Sequence, residues 1–188
     1  GSTIYLFGSG RNVYTYDVNA SDAGYHNKDS TLGLPYYGSN ICSAAIGSKI
    51  YLFGGGLVEL GSSDYIPENS IMVLEINGPY ADDISYTMLT TTLPLTLSNM
   101  ASAVIGSKIY LFGGYNGTDG YSDKIMVFDT ETEVVTVLPT ALSEGLRYLS
   151  AVPDGDTIYL FGGMGERHES VIGTDSISTS VYSFYDKK

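Results

Sequence analysis

The densest charged cluster in the chain is Met164-Gly165-Glu166-Arg167-His168-Glu169. A histidine beside carboxylates can act as acid, base or metal ligand. The other histidine, His26, lies in a different loop, so a two-histidine metal site within one chain is not expected. The plainer reading of the cluster is an exposed loop whose charges pair among themselves.

Other segments with the outline of a chemical motif fall short of one. Asn116-Gly117-Thr118-Asp119-Gly120 lacks the acid spacing and closing glutamate of a calcium loop, and reads as a turn. Gly54-Gly55-Gly56 and Gly163-Met164-Gly165 do not complete a dinucleotide fingerprint. No nucleophile elbow, phosphate loop or cysteine-rich zinc motif occurs. Cys42 is the sole cysteine, so no internal disulfide can form; in the run Ile41-Cys42-Ser43-Ala44-Ala45-Ile46 it reads as a small buried residue. Asn19-Ala20-Ser21 and Asn116-Gly117-Thr118 fit the glycosylation triplet, which matters only in a eukaryotic secretory setting. No cofactor or metal is expected.

With a formal charge of −12, the 188-residue chain lacks the basic patches that nucleic acid or anionic lipid surfaces require. No stretch approaches the ~20 apolar residues of a membrane span. Gly1-Ser2 directly before a strand reads as a cloning remnant, so nothing follows about a leader.

The elements that would position any site are set by four copies of one string. They are Ile4-Tyr5-Leu6-Phe7-Gly8, Ile50-Tyr51-Leu52-Phe53-Gly54-Gly55, Ile109-Tyr110-Leu111-Phe112-Gly113-Gly114 and Ile158-Tyr159-Leu160-Phe161-Gly162-Gly163. A period of about 50 residues marks a repeat architecture. Successive strand side chains point to opposite sides, so both faces of this strand are apolar and both must be covered. The glycines let the backbone turn sharply or pass close to a neighbour. A stack of small sheets, each packed between two others, satisfies both demands.

Each string is followed by a polar loop and a strand ending on an acid: Asp17, Glu75, Asp129 and Asp186. Four recurrences make that acid part of the repeat, where it caps a turn. A third strand is expected to end in Leu34-Pro35, Leu93-Pro94 and Leu138-Pro139, since proline suits a strand end or a sheet edge. Small residues then lead back to the string through Ser43–Lys49, Ser102–Lys108 and Ser150–Asp156, and Gly-Ser or Asp-Gly makes the hairpin. No segment carries a helical period.

Together these features resemble the kelch repeat, over essentially the whole chain. The resemblance implies an all-β, kelch-type β-propeller of four-stranded antiparallel blades. Residues 1–188 would form a single repeat array of about 3.5–4 blades, with repeats starting near 4, 50, 109 and 158. The wording Ile-Gly-Ser-Lys-Ile-Tyr-Leu-Phe-Gly-Gly followed by Phe-Asp-Thr-Glu-Thr-Glu is similar to kelch arrays of bacterial surface or secreted proteins. Two family features are missing. The usual tryptophan before Leu-Pro is replaced by Thr31, Thr90 and Val135. Aligned on Ser43, Ser102 and Ser150, the usual arginine position holds Asn40, Asn99 and Arg147, so only the third copy matches.

Strand bookkeeping gives three strands of a first blade, two full blades and three strands of a fourth. That pattern implies part of a longer array, or a chain that closes a ring by oligomerising. Open ends expose apolar faces and strand edges, so self-association through the incomplete terminal blades is expected.

The resemblance makes the loops after the glycine pairs and after Leu-Pro the partner-binding face, and loops on a rigid scaffold commonly carry function. From these loops the candidate ligand-binding residues are Arg11, Tyr36, Tyr37, Asn40, Asn99, Tyr115, Asn116, Asp119, Tyr121, Arg147, Tyr148, Glu166, Arg167 and His168. Tyrosine and arginine combine contact area with hydrogen bonding, and asparagine, aspartate and tyrosine together also suit a sugar. The leading expectation is a non-catalytic module that binds a protein or a glycan. The alternatives are a self-assembling propeller fragment, and a sugar-active enzyme using His168 with Glu166, Glu169 and Arg147.

Overall fold

In the computed structural model, residues 3–7, 13–17, 39–58, 65–78, 84–117, 119–165 and 181–185 are described. They form antiparallel sheets that repeat one plan. The first sheet pairs β1 (Thr3–Phe7) with β2 (Val13–Asp17). The second runs β3 (Cys42–Ile46), β4 (Lys49–Phe53), β7 (Ile71–Ile76) and β8 (Ile84–Met88) in that spatial order. The third is β9 (Ala101–Ile105), β10 (Lys108–Phe112), β11 (Lys124–Asp129) and β12 (Val134–Ala141). The last described sheet is β13 (Leu146–Asp154), β14 (Thr157–Gly165) and β15 (Val181–Tyr185). These sheets are the blades of a propeller, each a meander from small-residue strand to repeat string to acid-terminated strand and outward. A separate hairpin, β5 (Gly56–Val58) with β6 (Tyr65–Pro67), rises from the loop after Gly54-Gly55. From the sequence that stretch reads as a polar loop.

The two apolar faces of the repeat string are used as strand alternation requires. Ile50 and Leu52 turn toward the first sheet, in a core with Met72, Leu74, Ile84 and Tyr5. Tyr51 and Phe53 turn the other way and meet Ile109, Leu111, Met126 and Phe128 of the third sheet. The Phe128 ring stands edge-on to Phe53 at 5.5 Å and tilted to Tyr51 at 5.6 Å, spacings that favour aromatic pairs. Tyr110 and Phe112 pack in turn against Leu146, Leu149, Ile158 and Leu160. Full burial of one such side chain contributes about 1.5–3 kcal/mol, so the inter-sheet cores dominate the packing. The outermost copies have one face open: Ile4 is 49% exposed, Phe161 42% and Val152 50%.

The glycine pairs have a structural reason beyond turning. Gly54 and Gly113 hold φ of +57° and +65°, and Gly55 and Gly114 hold +93° and +113°. A Cβ on Gly54 would lie 2.1 Å from the carbonyl oxygen of Leu97, and one on Gly113 would lie 2.2 Å from that of Leu146. The segment crossing to the next blade passes directly over the pair. Gly55 N–H donates to Leu97 O and Gly114 N–H to Leu146 O, while Leu97 and Leu146 donate onward to Glu68 O and Ser122 O.

The expectation for Leu-Pro needs amending. Leu93-Pro94 lies beyond the end of β8, and Leu93 is buried in the crossing segment. Leu138-Pro139 sits inside β12, the outermost strand of its sheet, where a missing N–H is tolerated. The segment before Leu34-Pro35 lies outside the described residues. Likewise Met164 and Gly165, expected in a loop, are the last residues of β14 and pair with Arg147 and Leu146.

Candidate functional site

The glycine ends of β4, β10 and β14 and the crossings into β3, β9 and β13 meet on one side of the blades. Ser39 pairs with Gly56 and Ser98 with Tyr115 as isolated bridges, and Arg147 pairs with Met164 in the same structural place. The next residues, Asn40, Asn99 and Tyr148, adopt φ of +58°, +56° and +60°. Asparagine enters this left-handed region at small cost; tyrosine does so less readily. The three are stitched together across blades. Asn99 N–H donates to Asn40 O at 3.0 Å, and Tyr148 N–H donates to Asn99 O at 3.1 Å. Three residues further along, Ser102 Oγ donates to Ser43 O at 2.6 Å.

This register corrects the alignment of the third copy. The hairpin glycines Gly47, Gly106 and Gly155, all near φ +60°, bring Ala151 into the place of Ser43 and Ser102. The position of the expected arginine therefore holds Asn40, Asn99 and Tyr148, and Arg147 is equivalent to Ser39 and Ser98. The repeated dipeptide Ser39-Asn40 and Ser98-Asn99, answered by Arg147-Tyr148, was the signal that could have located it.

Arg147 is the hub of an aromatic cluster on this side. Its guanidinium lies 4.8 Å from the Tyr121 ring centroid, 4.8 Å from that of Tyr148 and 5.1 Å from that of Tyr115. Tyr115 and Tyr121 bridge to each other and tilt at 5.7 Å. Three aromatic faces around one cation, partly shielded from water, hold it more firmly than any single contact. The Nε of Arg147 is buried and has no hydrogen-bond partner among the described residues. Tyr148 is 56% exposed, so this ring carries the cluster to the surface. Tyr115 and Tyr121 come from the loop after Gly113-Gly114, whereas Arg147 and Tyr148, expected in the loop after Leu138-Pro139, are instead at the start of β13, where Arg147 pairs with Met164.

Around this centre the asparagines serve the scaffold. Asn99 is buried and donates from Nδ2 to Ser98 Oγ, which itself donates to Tyr115 O at 3.2 Å. Asn116 accepts from Asp119 N–H and donates to Asp119 Oδ2 at 2.8 Å, closing a self-contained turn beneath the Tyr115 hydroxyl, which donates to Gly117 O. Among the described residues no group of three or more His, Cys, Asp or Glu side chains could hold a metal ion. No helix among them is long and apolar enough to cross a membrane. Arg11, Tyr36, Tyr37, Glu166, Arg167, His168 and Glu169 lie outside the described residues.

Among the described residues, burial and hydrogen bonding shift the titration of Cys42, Lys49 and Tyr51. Burial pushes the Cys42 thiol up to about 11, opposed by hydrogen bonds from Ser102 and the Ser43 backbone. A hydrogen bond to Glu75 raises Lys49, and burial raises Tyr51. The acid at the end of the third strand behaves as its repetition suggested in β11: Asp129 Oδ1 accepts from the N–H groups of Glu131 and Thr132. In β7 the acid does otherwise, as Glu75 pairs with Lys49 at 3.0 Å.

The chain and its fold have known relatives. Residues 1–184 match the family model described as the KLHDC2/KLHL20/DRC7 Kelch-repeats domain. Kelch domain-containing protein 3 of Bos taurus is 28% identical over 88% of this chain and 45% of its own length. Kelch-like protein terF of Aspergillus terreus is 30% identical over 70% of this chain and 28% of its own. The N-acetylneuraminate epimerase of Vibrio vulnificus is 33% identical over 69% of this chain and 32% of its own. The chain thus spans less than half the length of these relatives. The solved structure of YjhT superposes with a TM-score of 0.73 at 18% identity, covering 87% of this chain and 56% of that one, a likeness of fold.

Proposed function

The chain belongs to the kelch-repeat family, and from that premise we propose that it is a non-catalytic recognition module whose loop face binds a protein partner around Arg147. The observation that carries this reading is the convergence of Arg147 and Tyr148, at the start of β13, with Tyr115 and Tyr121 of the loop after Gly113-Gly114. Arginine and tyrosine anchors with large contact area and fixed geometry are what interface centres use. Kelch-repeat relatives, named for that domain alone, are consistent with a scaffold role. The remaining candidates on this side, Asn40, Asn116 and Asp119 among the described residues, form its polar surroundings.

The test is a displayed peptide library and a glycan array probed in parallel with the purified protein. Each hit is measured again with Arg147→Ala and Tyr121→Ala. Binding of a peptide hit is expected to fall at least about tenfold, while the melting temperature stays within a few degrees. A hit bound equally well by both variants would place recognition elsewhere, and hits confined to the glycan array would make the partner a sugar.

Two other readings rest on specific observations. The open faces around Ile4, Phe161 and Val152 favour self-association, because inside the array the same positions are covered by a neighbouring blade. Sedimentation across a hundredfold range of concentration decides that: a strict monomer excludes it. The relative named N-acetylneuraminate epimerase supports a sugar-active reading. A turnover assay with N-acetylneuraminate tests it, and activity that survives His168→Ala would remove the assignment of His168.

A further inference from the structure

Asparagine followed by glycine carries a chemistry that needs no enzyme. The backbone nitrogen of the glycine attacks Cγ of the asparagine. The N–Cγ bond forms, Cγ–Nδ2 breaks, and the proton of the attacking nitrogen leaves with the departing ammonia. Water then opens the cyclic imide. Opening at Cγ leaves aspartate; opening at the backbone carbonyl leaves isoaspartate, with an extra methylene carbon in the main chain. Glycine favours the attack because it has no Cβ to crowd its nitrogen. The chain holds two such pairs, Asn77-Gly78 and Asn116-Gly117.

The structure treats the two differently. Asn77 follows the last residue of β7 and is exposed. Asn116 is half-buried, and both ends of its side-chain amide are engaged by one residue. Its Oδ1 accepts from Asp119 N–H at 2.6 Å, and its Nδ2 donates to Asp119 Oδ2 at 2.8 Å. The backbone around the pair is fixed as well. Asn116 N–H donates to Gly120 O at 3.1 Å, the Tyr115 hydroxyl donates to Gly117 O at 3.0 Å, and Tyr115 bridges to Tyr121 across the loop. Gly117 holds φ +85°, and the Pro67 ring lies 3.3 Å from where a Cβ would stand. Attack by the Gly117 nitrogen requires Cγ to turn toward it, and that rotation breaks both bonds to Asp119. The bond to the carboxylate is of the stronger, charge-assisted kind, and it holds Nδ2, the group that must leave.

We propose that Asn116-Gly117 is a self-modification site, for imide formation and deamidation, that Asp119 keeps closed in the folded protein. Isoaspartate at 116 would lengthen the backbone beside Tyr115, and aspartate there would set a second carboxylate against Asp119. Either product undoes the turn that seats Tyr115 beside Arg147. The inference stands whatever the loop face binds.

The test is to hold the purified protein at physiological temperature and pH and map its peptides by mass spectrometry over time. The map separates the asparagine, imide, aspartate and isoaspartate forms at both positions, and Asn77 serves as the internal clock. Asn116 is expected to convert at least about tenfold more slowly than Asn77, the factor that one hydrogen bond to a charged group supplies. Asp119→Ala should speed Asn116 by a similar factor and leave Asn77 unchanged. Asp119→Asn, which keeps an acceptor for Nδ2, should fall between. Should Asp119→Ala fail to fold by circular dichroism, the unaltered protein in urea supplies the comparison, and the two sites must then convert at similar rates. Equal rates at the two sites in the folded protein overturn the proposal, as does a rate at Asn116 that Asp119→Ala leaves unchanged. An Asn116 that stays slow in urea owes its protection to neighbouring sequence, and the proposal fails equally.

Discussion

The N–H of Tyr148 donates to the carbonyl of Asn99 at 3.1 Å, and both residues hold left-handed backbone. The same bond joins Asn99 to Asn40, so one strained position recurs around the propeller with asparagine in two copies and tyrosine in the third. Tyr148→Asn should therefore relieve roughly 1 kcal/mol of backbone strain. Loss of the ring's contact with Arg147 opposes part of this. A small rise in chemical-denaturation stability is expected; a loss above about 1 kcal/mol would show that the aromatic contact outweighs the backbone term.

Gly113→Ala and Gly106→Ala offer a sharper comparison, because both glycines have φ near +60°. Around Gly106 a Cβ would meet nothing, whereas at Gly113 it would strike the backbone carbonyl of Leu146. Gly106→Ala should cost about 1 kcal/mol, the strain alone. Gly113→Ala adds a displaced backbone segment and should cost about 3 kcal/mol or more. Equal losses in urea unfolding would contradict the close crossing.

The coupling inside the aromatic cluster can be measured directly. A double-mutant cycle on Arg147→Ala and Tyr121→Phe should give little coupling, since Phe keeps the ring face. The cycle with Tyr121→Ala should give about 0.5–2 kcal/mol. Arg147→Lys is expected to retain only part of it, because an ammonium lacks the planar fork that lies between rings.

Alkaline stability should depend on Cys42. Its thiol is raised from 9.0 to about 11 by burial, so the folded protein resists ionisation that the unfolded chain allows. The contribution is fully present below pH 9 and is lost as pH rises toward 11. It amounts to about 2–3 kcal/mol. Lys49 and Tyr51 are also raised, so the measurement is the difference between the parent protein and Cys42→Ala across that window. A constant difference from pH 8 to 11 would refute it. The same burial predicts slow reaction with a thiol reagent at pH 8 until the protein unfolds.

The fold was legible because Ile50-Tyr51-Leu52-Phe53 and its copies leave no polar face, and only a strand covered on both sides accommodates that. The acid-terminated strands and small-residue strands followed from position in the repeat. Tyr115, Tyr121, Arg147 and Tyr148 were all among the candidates and the structure brings these four side chains together, although Arg147 and Tyr148 open a strand and not a loop. What composition hides is register. Ser150 resembles Ser43 and Ser102, yet the hairpin glycine at 155 shifts the third copy by one residue and moves Arg147 to a serine position. A one-residue slip changes which side chain faces which neighbour, and local residue type does not report it. The β5–β6 hairpin escaped for another reason: Gly56–Val58 and Tyr65–Pro67 are too short to carry a strand period.

Leu97 and Leu146 each accept from the glycine pair of one blade and donate to the loop beyond it, at the start of the next blade, with no solvent exposure. Their amides, and those of Gly55 and Gly114, cannot exchange with deuterated water unless two adjacent blades separate. Melting of the array is then a matter of severed junctions more than of frayed sheets. These four hydrogens are the gauges that tell whether the blades let go one at a time or all at once.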